Sequence, residues 1–212
     1  MTLSIVNPFV TENIDSSFVW TVLFAVLFIG GAMLVSTLLL RVMQEKNFRV
    51  YPTVQMILTG LLSLVLYLRF GIQLIALQGL FLFFILLYAS CSDLTTHTMD
   101  DSLWVMVAIL GIVSAEFVGW SSMLLGLLMI LIPQILISLI PPHKALGGAD
   151  IKLSAALAFL LGWQKGLLGF ILGLLFAVVT MAVVQKENPK KKKQPFALIP
   201  FLSTAAILIF LI

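Results

Sequence analysis

Charge is scarce in this chain: 10% of its 212 residues are Asp, Glu, Lys or Arg, and 61% are hydrophobic. A soluble domain carries about a quarter charged residues, which excludes a water-exposed globular fold of this size. Cysteine is scarcer still. The single Cys91 excludes an internal disulfide and a multi-cysteine zinc site within one chain. No basic residue precedes Arg41, whereas Glu12 and Asp15 lie ahead of the first apolar run. The start therefore lacks the positive region of a cleaved signal peptide, and Met1 is expected to be the mature end, outside the membrane. The net charge of +3 comes largely from Lys190 to Lys193. That run points to membrane topology, with attraction to anionic lipid heads as a second role, and not to nucleic acid.

What the chain has in quantity is apolar runs of about 15 to 25 residues, the length a helix needs to cross roughly 30 Å of hydrocarbon. Eight can be marked: Phe18 to Val42, Thr53 to Leu68, Ile72 to Ser90, Leu103 to Phe117, Ser122 to Ile140, Ile151 to Gly162, Gly166 to Val184 and Ile199 to Ile212. The expected fold is an all-α, polytopic transmembrane helical bundle of about eight spans. It forms one integral-membrane domain over 1–212, with two N-terminal spans in 1–70 and a core in 71–212. Pro133 removes a backbone hydrogen bond from the fifth run, so a bend or local opening is expected there, and Pro141-Pro142 ends that helix. Gly169-x-x-x-Gly173 lets helix backbones approach closely, although ordinary membrane-helix glycines would look the same.

Alternating eight spans from an outside N-terminus puts Arg41, Lys46, Arg49, Lys144, Lys152, Lys186 and Lys190 to Lys193 inside, and only Arg69 and Lys165 outside. Ten of twelve basic residues then share one side, as the positive-inside rule requires. The same alternation brings two acidic motifs to the cytoplasmic face. Asp93 closes the third run in Cys91-Ser-Asp-Leu-Thr-Thr-His-Thr-Met-Asp-Asp101, and Asp150 opens the sixth in Ala145-Leu-Gly-Gly-Ala-Asp-Ile-Lys-Leu153.

An aspartate at the centre of a span costs about 2.5 to 3.5 kcal/mol on insertion scales, so one at its edge invites a functional explanation. Two carboxylates a few Å apart cannot both ionise comfortably; they share a proton and titrate as a unit. One member can then act as general base on water while the other donates a proton to a scissile carbonyl or leaving amine. That is peptide hydrolysis with no metal, cofactor or covalent intermediate. Gly147 and Gly148 would let a substrate backbone come close. The plainer alternative is that Asp150 caps the sixth helix. Capping favours its ionised form, which would leave Asp93 as the acid. His97 and His143 read as solvated loop histidines, Asp100 and Asp101 as caps of the fourth helix. Lys152 reads as a snorkelling residue close enough to Asp150 to tune it.

These residues resemble the type IV prepilin peptidases, the bacterial members of the GxGD aspartyl proteases. The resemblance rests on Asp93-Leu94, on Gly147-Gly-Ala-Asp-Ile-Lys-Leu153 with Ala155-Ala156 and Leu161-Gly162-Trp163, and on Ala197-Leu-Ile-Pro-Phe-Leu202. It is close from Gly71 onward and one of layout only over Phe18 to Phe70. It implies that Asp93 and Asp150 are the catalytic pair, supported by Gly147, Gly148, Ala149 and Lys152. It also implies prepilin-like precursors as partners, cut after a short basic leader at the cytoplasmic face of a bacterial inner membrane. This chain departs from the family pattern with Ala149 in place of the second motif glycine. Met99-Asp100-Asp101 stands where many members carry a proline. Gln44 to Tyr51 replaces the four-cysteine domain of larger members, so peptidase activity without N-methylation is expected.

Three rivals use the same acids. A presenilin-like protease would bring a tyrosine before the first aspartate and a Pro-Ala-Leu element, both missing here. A metal-dependent transferase at the membrane face would need a spaced aspartate motif and a phosphate-clamping arginine. A proton-coupled carrier would place its acids near the bilayer midplane between repeats, and no internal repeat is present.

Overall fold

The computed structural model describes residues 16–139, 147–187 and 197–212. Every regular element in them is helical: α1 (Ser16–Glu45), α2 (Pro52–Phe70), α3 (Leu74–Thr96), α4 (Asp101–Val113), α5 (Ala115–Val118), α6 (Trp120–Leu139), α7 (Gly148–Glu187) and α8 (Ile199–Leu211). The all-α membrane bundle expected from the apolar runs is what the chain forms.

The span count differs. Among the described residues five helices, not eight, are long and apolar enough to cross a membrane: Val19–Glu45, Pro52–Phe70, Leu74–Thr96, Trp120–Leu139 and Gly148–Val184. The helices α4 and α8 have 13 residues each, which at 1.5 Å per residue is about 20 Å and short of the hydrocarbon thickness. The sixth and seventh runs form the two helical limbs of α7, which meet at Gly162 (φ 78°, ψ 175°).

That junction folds α7 back on itself. A Cβ on Gly166 would lie 2.7 Å from the Cα of Ala158, whereas residues eight apart in a straight helix are separated by about 12 Å. The limb before Gly162 is the centre of the bundle. Leu153, Ser154, Ala155, Ala156, Leu157, Ala158, Leu160 and Leu161 are all buried, so this stretch is apolar all round because protein surrounds it. Its second limb packs on α8, where a Cβ on Gly173 would come within 3.1 Å of the Leu202 Cα. The Gly169/Gly173 spacing thus serves a helix contact within the chain. Helix α6 runs on through Pro133 and turns Met123, Gly126, Ile130 and Gln134 inward.

Hydrogen bonds and ion pairs sort the helix ends into two groups. At one end Lys46, just past α1, meets Asp100 before α4; Asp101 meets Lys152 of α7; and Asp93 of α3 meets the first residue of α8. At the other, Arg69 of α2 donates to the carbonyl of Ile212, and Ser122 of α6 accepts the Trp163 N–H. The first pair of helices is joined by a buried hydroxyl and amide stripe: Ser36 Oγ lies 3.0 Å from Thr59 Oγ1, and Gln55 Nε2 donates to Ser36.

Candidate active site

Asp93 occupies the last turn of α3 and is 8% exposed. The helix stops four residues later, where His97 adopts the left-handed conformation (φ 53°, ψ 29°) and returns its N–H to the Asp93 carbonyl. Hydroxyls brace the turn that follows: Ser92 Oγ donates to the Thr98 carbonyl, and Thr95 Oγ1 accepts the Arg49 N–H. The Asp93 Oδ2 accepts the main-chain N–H of Ile199 at 3.1 Å, across 106 residues of sequence.

Asp150 is the third residue of α7, half-buried, and its carboxylate accepts the N–H of Gly147, the residue just before the helix. This is one half of a capping box, with the acid in the first turn reaching back to the N-cap amide. The capping role weighed from the sequence is therefore present in this form. The Asp93 and Asp150 carboxyls are near enough to repel each other electrostatically, and the His97 charge acts on Asp93. Both acids thus take a main-chain N–H at the start of a helix, so capping alone does not separate an acid from a base.

The neighbouring motif positions divide. A Cβ on Gly147 would lie 2.8 Å from Asp150 Oδ2, so a glycine there leaves the carboxylate its place. Gly148 faces open space, and Ala149 packs against the core around Leu153. Lys152 turns elsewhere: its Nζ lies 2.6 Å from Asp101 Oδ1. Residues two apart on a helix point to opposite faces, which is why Lys152 ties α7 to α4 and does not reach Asp150.

Lys152 holds the exposed Asp101 carboxyl below its ordinary range. The tie is therefore complete above that range and is lost only as pH falls through the lowered value. Asp100 stands at the N-cap position of α4, but its side chain caps nothing. It takes Lys46 Nζ and the Tyr88 hydroxyl, each at 3.4 Å. Tyr88 and Asp100 together hold the Lys46 ammonium above its usual range. His97 is exposed, while His143 and Lys190 to Lys193 lie outside the described residues. Among the described residues no set of three or more His, Cys, Asp or Glu side chains gathers as a cation's ligands would.

Two groups escaped the sequence reading. One is Ile199, whose main chain and not its side chain touches Asp93; the signal was the Ile-Pro step ahead of the last helix. The other is the Ser154–Gln134 pair, bonded at 3.0 Å one turn below Asp150. Its signal was a glutamine and a serine at inward positions of otherwise apolar runs.

Fold and site together define a multi-pass helical membrane protein that gathers two carboxyls from distant segments at one end of its bundle. Residues 80–183, which contain both aspartates, match the type IV leader peptidase family. No curated protein and no solved structure matches the chain. The matched segment is that of a peptidase family.

Proposed function

We propose that the chain is an aspartic endopeptidase that removes the basic leader from prepilin-like precursors, with Asp93 and Asp150 as its acid–base pair. The observation that carries this reading is the convergence of two acids, 57 residues apart, on one end of the bundle. With one proton between them, the ionised carboxylate takes a proton from water as its oxygen bonds to the scissile carbonyl carbon. The protonated partner gives its proton to the carbonyl oxygen. Collapse of the resulting diol returns a proton to the amine nitrogen as the C–N bond breaks, releasing an acid and an amine.

The site faces the cytoplasm of a bacterial inner membrane with the N-terminus outside, a reading supported by Lys46, Arg49 and Lys152 at the same end of the bundle as both aspartates. Residues 71–212 form the catalytic core and 1–70 its two-helix companion. The short Gln44 to Tyr51 connection carries no cysteine, and the product is released without N-methylation. The test is to mix the detergent-solubilised protein with a prepilin-like precursor, with and without chelator. Wild type gives a size shift that chelator leaves intact, and Asp93→Asn and Asp150→Asn both abolish it. Cleavage surviving either substitution refutes the mechanism.

A further inference from the structure

Helix α8 is too short to span a membrane by itself, yet it is packed more tightly than the long helices of the periphery. Ile199, Leu202, Ala205, Ala206 and Ile209 are all buried. Its first turn leaves the main chain few donors. Pro200, near the helix start, has no N–H, and the amides of Phe201 and Leu202 are both spent on the Leu198 carbonyl. The amide that remains at the helix start is that of Ile199, and it is directed at Asp93 Oδ2. The Ile199 side chain, 1% exposed in the core beside Leu153 and Ala89, fixes that amide in place.

We propose that Ile199 is a positioning residue for the aspartate pair. Its main-chain N–H, delivered by the docking of α8, engages one oxygen of Asp93 and leaves the other turned toward Asp150 and the attacking water. The proposal rests on the reading of Asp93 and Asp150 as the catalytic pair. Proline at 200 sharpens it, because a second donor beside Ile199 could draw the carboxylate off its line. The helix start contributes its dipole as well as the bond, and both favour an anion there.

Replacing the 198–199 amide by an ester in the full-length protein removes this N–H while keeping the isoleucine side chain. The expected result is a kcat lower by about 10- to 100-fold, the worth of a hydrogen bond to a charged group. KM for the precursor is unchanged, and the acid limb of the pH–kcat profile is displaced. An ester protein with wild-type kcat and a superimposable pH profile overturns the proposal. A second measurement uses the unaltered chain. The isotope-labelled Ile199 amide resonance titrates in wild type and stops titrating in Asp93→Asn; a flat resonance in wild type, or a titration that persists in the variant, overturns it equally. Titratable groups near this amide are Asp93, Asp150 and His97. If Asp93→Asn itself still cleaves precursor, the catalytic reading fails, whereas an indifferent ester beside inactive Asp93→Asn removes only the role of Ile199.

Discussion

Gly147 does more for this site than its small size suggests. Its amide is the donor to Asp150, and its missing side chain leaves the space in which that carboxylate lies. Gly147→Ala places a Cβ 2.8 Å from Oδ2, so the carboxylate must move by several tenths of an ångström. Misplacement on the order of 1 Å can cost about 100-fold in rate. The variant is therefore expected to fold normally, by its unfolding transition in detergent, and to lose about 10- to 100-fold in kcat/KM for precursor cleavage. Gly148→Ala, which meets nothing within 4 Å, is the matched control and stays near wild type. The two glycines read alike in sequence. Only the direction of the Asp150 side chain tells them apart, as the direction of Lys152 toward Asp101 decides that it is not a partner of Asp150.

At the scale of elements, apolar run length is a good guide to helices and a poor one to crossings. The runs Leu103 to Phe117 and Ile199 to Ile212 hold helices of only 13 residues, whereas Ile151 to Gly162 and Gly166 to Val184 form two helices that reverse at a single residue. Gly162 has a backbone conformation nearly confined to glycine, and a Cβ there would meet Ser122 Oγ at 2.6 Å and Val118 Cγ1 at 2.7 Å. Gly162→Ala should destabilise the fold by about 1 to 3 kcal/mol, seen as a lowered thermal transition in detergent micelles. The buried stripe joining α1 to α2 was legible in principle. Gln55, Thr59 and Ser63 recur at intervals of four and therefore share one face of α2. Spread through an apolar run, each looked incidental, because the partner that gives it meaning, Ser36, lies on another helix.

For the whole molecule, the separation of helix ends makes a statement about the membrane. Lys46 and His97 belong to one end of the bundle, Gly119 and Lys165 to the other. In a Cys91→Ser background, single cysteines at Lys46 and His97 should react with an impermeant thiol reagent only after the cytoplasmic face is opened. Cysteines at Gly119 and Lys165 should react in intact cells. The reverse pattern would invert the proposed orientation and put the aspartates on the outer face.

Composition and hydropathy by themselves determined that this chain is a membrane-embedded helical protein, and the GxGD-like motif marked which acids to watch. These are local properties: side-chain transfer into hydrocarbon and backbone satisfaction within a helix depend on residues a few positions apart. The tertiary structure decided that Asp93 and Asp150 come within electrostatic reach of each other, that Lys152 belongs to Asp101, and that an amide 106 residues away holds Asp93. Those contacts arise from the packing of remote helices. Whether two buried surfaces fit depends on the shapes of both, and neither segment carries that information alone.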